Sequence, residues 1–132
     1  MTPYAVQSGD IPPSLLRRFR EMRSKLEELP DFEEELLTCH SVSFAFAKHY
    51  GHGLQCVDGA FGGLHDHSWI VDVGSPGVIL DMYPVAGASS FIVVTSYSLL
   101  PWFKLYVPGN PKFDKKIRKR QVAKILAFLN GS

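Results

Sequence analysis

The chain has 132 residues, 45% of them hydrophobic and 20% charged, with a formal net charge of +1. That length suits one domain around one core, the composition is that of a folded globular protein and not a disordered tail, and the balanced charge supplies no global field toward nucleic acid or an anionic membrane. No apolar run approaches the ~20 residues that span a bilayer, and the opening Met1-Thr2-Pro3-Tyr4 lacks the basic and then apolar regions of a secretory signal.

In chain order, the first helix is expected to begin near Pro12-Pro13, with Asp10 or Ser14 as cap and proline accommodated in its first turn. Leu15, Leu16, Phe19, Met22 and Leu26 recur at helical spacing, with Arg17, Arg18, Arg20, Glu21, Lys25 and Glu28 on the other face. Pro30 ends it. Asp31 is placed to cap a short helical segment through Phe32, Leu36 and Leu37, and Thr38 to cap another. From Cys39 to Ala47 the chain is short of charge and apolar on most sides, which predicts a buried helix stopped at Gly51. Strands are then expected over 54–61, 67–73, 78–83 and 91–97, with a fifth over 102–107. Gly62-Gly63 and Gly74-Ser75-Pro76-Gly77 supply turns. A last helix is predicted over 114–129, with Ile117, Val122, Ile125, Leu126 and Leu129 on one face. Helices, a run of antiparallel strands and a closing helix make an α+β domain with helices on one face of a sheet. The expectation is a single domain over 1–132, cytoplasmic as written, although a non-classical secretion route leaves no mark in a sequence.

The chain has two cysteines, Cys39 and Cys56, too few for a disulfide scaffold, and no CxxC spacing for a zinc knuckle. Cys39 stands at a predicted helix start, where unpaired N–H groups and partial positive charge stabilise a thiolate and an adjacent oxyanion. A free cysteine is equally at home in a core. His67 opens a strand in His65-Asp66-His67-Ser68-Trp69-Ile70, and an imidazole beside a thiol can take its proton and return it to a leaving group. Asp81 interrupts the apolar run Val78-Ile79-Leu80-Asp81-Met82-Tyr83 and so calls for a partner. With a three-residue loop Ser75-Pro76-Gly77, Val71 faces Asp81 and His67 faces Val85; His67, Trp69, Val71, Asp81 and Tyr83 then share one face. A two-residue loop puts Asp81 on the other face. On the three-residue register His67 and Asp81 are offset along the strands, so contact between them calls for a bulge.

Cys39 at a helix start, His67 in His-Ser-Trp-Ile and Asp81 in Ile-Leu-Asp-Met-Tyr-Pro together resemble the transglutaminase-like, papain-like superfamily of cysteine peptidases, deamidases, transglutaminases and arylamine N-acetyltransferases. The resemblance runs from Thr38 to Pro84. Leu37-Thr38-Cys39-His40 stands where transglutaminases carry Gly-Gln-Cys-Trp, and Gln7 is the one glutamine before Cys39. The resemblance implies a papain-like core: an antiparallel sheet of four to five strands, N-terminal helices with the nucleophilic cysteine starting one of them, and a C-terminal helix. It also implies an acyl-transfer triad, with Cys39 as nucleophile, His67 as base and Asp81 as the residue that orients His67. No cofactor is called for, and the substrate would be a peptide or protein. Trp69, Tyr83, His65 and His40 are the accompanying substrate-binding candidates, and Trp69 and Tyr83 suit core or cleft-wall positions as well.

Other readings compete. One is a catalytically inactive peptide- or protein-binding module on the same fold. Another is a metal site at His65, His67 and either Asp81 or Asp66. Lys112, Lys115, Lys116, Arg118, Lys119, Arg120 and Lys124 make the last helix basic. That is either a nucleic-acid patch or, as expected here, a solvated face balanced by Glu27, Glu28, Asp31, Glu33, Glu34 and Glu35. Gly59, Gly62 and Gly63 lack the lysine and hydroxyl residue of a phosphate loop and are expected to form a loop before His65.

Overall fold

In this computed structural model the described residues are 4–6, 12–30, 36–51, 53–63, 65–75, 78–82, 91–95 and 106–131, with the backbone alone for 4–6 and 91–95. Helix α1 (Pro13–Glu27) opens on proline with no side-chain cap; the Pro12 carbonyl accepts the N–H groups of Leu15 and Leu16 at 3.0 and 3.1 Å. Proline serves here because its missing N–H costs nothing in a first turn. Ser14 therefore lies inside the helix, and Asp10 falls outside the described residues. Leu15, Phe19 and Met22 form its buried stripe.

Helix α2 (Cys39–Tyr50) has Thr38 as its cap, with the Thr38 hydroxyl accepting Ser41 N–H at 3.2 Å, and stops at Gly51, whose φ of +52° suits glycine. It is buried on most sides because it packs against the sheet and also against the last helix. Leu36 and Leu37 are not helical, so the short helix expected before Thr38 is absent there; 31–35 lie outside the described residues.

The strands are β1 (Tyr4–Val6), β2 (Leu54–Phe61), β3 (His65–Asp72), β4 (Val78–Asp81), β5 (Phe91–Thr95) and β6 (Tyr106–Pro108), and helix α3 (Lys115–Leu129) follows. They form one sheet in the order β1-β5-β4-β3-β2-β6. The chain is α+β, as the order of elements implied. Among the described residues β5, β4, β3, β2 and β6 pair antiparallel, within the expected four to five strands, and the three-residue β1, too short to show a period, adds an unexpected sixth strand parallel to β5. Most of the strand expected over 102–107 lies outside the described residues; its end is β6.

Alternation divides the sheet into two faces. Leu54, Ile70 and Leu80 join Phe19, Met22, Val42, Phe46 and Ile125 of the helices in one core. Full burial of such side chains contributes roughly 1.5–3 kcal/mol each. The other face carries Val57, Phe61, His67, Trp69, Val71, Ile79 and Asp81, by the pairings Val57↔Trp69, Phe61↔His65 and Val71↔Ile79. The β3–β4 ladder pairs Val71 with Ile79, not with Asp81 as expected. The correction is two residues, an even shift that keeps every side chain on its face. It brings Asp81 level with Trp69, one diagonal step from His67, and removes the need for a bulge. On the other side of His67 stands Gly59. A Cβ there would collide with the Val107 carbonyl oxygen and come within 2.8 Å of the Trp69 ring, so glycine lets β6 and Trp69 close over this point.

Candidate active site

Cys39 is held from two directions. Gln121 of α3, fully buried, accepts Thr38 N–H at 3.2 Å through Oε1 and donates Nε2–H to the Leu36 carbonyl at 2.8 Å. This clamp and the Thr38 cap fix the chain as it enters α2. Cys39 is the first residue of α2 and so sits among N–H groups that have no intrahelical acceptor.

His67 is 4% exposed and Asp81 is fully buried. His67 Nε2 donates to Asp81 Oδ2 at 2.7 Å, and the Tyr106 hydroxyl donates to the same oxygen at 2.7 Å. With Nε2–H committed to a carboxylate, Nδ1 is the nitrogen left for the thiol. Phe61, Trp69 and Tyr106 surround the imidazole at centroid distances of 6.1, 6.2 and 6.3 Å. Burial works against a charged ring, yet the hydrogen bonds to Asp81 and Cys39 and their negative charge outweigh it and raise the His67 pKa to about 9. Tyr106 is pushed upward by burial and by Asp81, so it remains a donor.

The Cys39 thiol responds the other way. Burial alone would raise its pKa, but hydrogen bonds with His40 and His67 and the charge on those rings lower it to about 6. Between these two values the favoured pair is a thiolate beside an imidazolium, a nucleophile ready to attack and an acid ready to protonate.

His40 and Ser68 belong to the helix side of β3. His40, 7% exposed, has its Nδ1 2.7 Å from Ser68 Oγ. Ser68 Oγ donates to Asp58 Oδ1 at 2.6 Å, and Arg118 Nη1 donates to both Asp58 oxygens at 3.1 and 3.0 Å. Arg118 lies 4.4 Å over the Phe113 ring, and Phe113 stacks on His40 at 4.3 Å. The ring of contacts therefore closes on itself.

The structure thus joins His67 to Asp81, and hydrogen bonding and charge from His67 and His40 are what lower the Cys39 thiol. Of the substrate-binding candidates, His65 is exposed at the start of β3, His40 is buried beside the thiol, and Tyr83 lies outside the described residues. Trp69 packs beside His67 and walls a cavity of about 570 Å³ with Val57, Val71, Ile79 and Tyr106; neither Cys39 nor His67 lines it. Among the described residues no three His, Cys, Asp or Glu side chains gather as metal ligands, which leaves the His65–His67 reading without a third arm. Lys115, Lys116, Lys119 and Arg120 are exposed, whereas Arg118 turns inward to Asp58. Glu27 pairs with Arg23 within α1, and Glu28, just past its end, pairs with Lys25.

Sequence reasoning missed Tyr106, Ser68, Asp58, Arg118 and Gln121. Gln121 carried a usable signal: it lies four residues from both Ile117 and Ile125, an amide on an apolar stripe. No protein-family model matches the chain, and neither does any curated protein or solved structure.

Proposed function

We propose that this protein is a thiol-dependent amide hydrolase or acyltransferase, of the cysteine peptidase or glutamine deamidase kind, working through Cys39, His67 and Asp81 on a papain-like, transglutaminase-like core. The observation that carries the reading is a buried imidazole tied to a buried carboxylate at 2.7 Å, in a fold whose helix-start thiol is lowered by that same imidazole.

In this mechanism the Cys39 thiolate attacks the carbonyl carbon of an amide or thioester, and the C–S bond forms as the carbonyl oxygen takes up negative charge. The N–H groups of the first turn of α2 are the donors available to that oxyanion. Protonated His67 gives its Nδ1 proton to the leaving amine or thiol, the carbonyl–leaving-group bond breaks, and an acyl-cysteine remains. Neutral His67 then takes a proton from water or an acceptor amine, which displaces Cys39 and restores the thiolate. Asp81, with Tyr106 donating to it, keeps Nε2 protonated and the ring turned toward the sulfur.

Incubation with an activated thioester tests this by intact mass and peptide mapping. The expected result is one acyl group on Cys39, absent in Cys39→Ala and formed far more slowly in His67→Ala. A wild-type protein that takes up no acyl group while folded would contradict the mechanism and favour the inactive binding module.

A further inference from the structure

Three strands meet at the His67 imidazole, and the one that carries Tyr106 is held there by a specific register. β6 lies against β2 with Tyr106 level with Phe61 and Pro108 level with Gly59. Only the missing Cβ of Gly59 leaves room for the Val107 carbonyl oxygen and the Pro108 Cα, so glycine admits β6 at this depth. Tyr106 is 6% exposed and meets the Phe61 and Trp69 rings edge-on at 5.0 and 5.1 Å. The ring so held sets its hydroxyl on Asp81 Oδ2 at 2.7 Å. The same oxygen accepts His67 Nε2–H at 2.7 Å. A carboxylate oxygen has two lone pairs, and these two donors fill them. Asp81 is fully buried, so each donor weighs more on its charge than it would in water.

We propose that Tyr106 is a positioning residue that tempers the Asp81–His67 pair: by sharing Oδ2 it weakens the carboxylate's hold on the imidazole proton and so keeps His67 a strong enough acid to protonate a basic leaving group. The inference rests on His67 being the acid of the proposed reaction, and it adds the group that sets that acid's strength. Without the hydroxyl, the Oδ2 charge would fall on Nε2–H alone and stabilise the imidazolium further, which makes it a weaker acid. An amine departs only once protonated, whereas a thiol leaves with little help. The loss therefore falls on amide substrates more than on thioesters. The charged and titratable groups that His67 faces are Asp81 of β4 and Cys39 of α2, with the Tyr106 hydroxyl of β6 on Asp81. From β2 it meets Gly59 and Phe61, which carry no charge. On its own strand His65 shares its face and is exposed. Tyr106 stays neutral, since burial and Asp81 push its pKa upward.

The test is the pH titration of His67, followed by nuclear magnetic resonance with isotope-labelled histidine and assigned by the signal lost in His67→Ala. Tyr106→Phe keeps the ring and its contacts with Phe61 and Trp69 and removes only the hydroxyl. The expected result is a His67 midpoint displaced upward by about half to one pH unit from the wild-type value. A ring-fluorinated tyrosine placed at position 106 has a more acidic hydroxyl and donates more strongly, so it should displace the midpoint downward. A tyrosine that merely fills space would move it in neither case. In acylation by the activated thioester, the upper limb of the pH profile should move up with the midpoint in Tyr106→Phe. Folding is checked by circular dichroism for each variant. A folded Tyr106→Phe protein whose His67 midpoint is unchanged or lower overturns the proposal, as does a fluorinated protein with an unchanged one, and either leaves the His67 mechanism standing. A wild type that takes up no acyl group removes the proposed reaction instead; the His67 midpoints need no substrate and decide the part played by Tyr106 separately.

Discussion

The two cysteines occupy opposite chemical worlds at similar depth. Both are half-buried and unpaired as disulfides. Cys56 lies in the middle of β2, and its S–H points at the Asp58 carboxylate, 3.7 Å away. Burial and that carboxylate push its pKa up to about 12. Cys39 begins a helix, and hydrogen bonding and charge from His40 and His67 bring its thiol down to about 6 against a burial penalty of the same sign. Depth therefore does not decide reactivity. The sign of the neighbouring charge and the position along the helix do.

The sharpest way to break this comparison is to remove each sulfur in turn. Cys39→Ala should abolish turnover of an activated thioester, a loss on the order of a thousandfold or more, while Cys56→Ala should keep kcat within about twofold in steady-state assays. His67→Ala should lower kcat by roughly 10²–10⁴-fold, the usual worth of a placed acid–base group. The pH profile comes next. The Cys39 pKa is lowered, so the thiolate is lost as pH falls through about 6; the His67 pKa is raised, so the imidazolium is lost as pH rises through about 9. Activity should therefore be flat between these limits and drop on either side, and a profile rising through pH 8 would refute the ion pair.

Two smaller effects sharpen the contrast. Gln121→Leu leaves Thr38 N–H and the Leu36 carbonyl without their buried partner, a cost of about 1–3 kcal/mol in urea unfolding, and should lower kcat as the start of α2 loosens. Asp58→Asn removes the negative charge beside Cys56, so labelling of Cys56 should begin at lower pH than in the wild type. An unchanged Cys56 profile would mean that burial alone holds that thiol.

Local signals carried much of the architecture. Thr38 and Gly51 bound α2 because a side-chain hydroxyl at one end and a positive φ at the other are chemical demands visible in single residues. Asp81 announced its need for a partner by breaking an apolar strand, and it found His67. The strand register was legible only in parity. Face alternation fixes odd against even, but a shift of two residues leaves every side chain on its face, so the pattern does not encode which even register forms. The second network was not legible at all. Ser68, Asp58 and Arg118 are ordinary surface-type residues in sequence, and Arg118 sits in a run of lysines and arginines that reads as a solvated face. Only the packing of α3 against α2, and its Arg118–Asp58 bond to β2, turns that one arginine inward. Tyr106 is similar: nothing local tells an ordinary core tyrosine from one that donates to a buried carboxylate.

The most direct measurement is an ultraviolet titration of thiolate absorbance, taken as the difference between wild type and Cys39→Ala. A transition near pH 6, with a full thiolate already present at neutral pH, is the expected result. A difference signal that is absent at neutral pH and rises only around 8.5, as for an ordinary cysteine, would contradict the account.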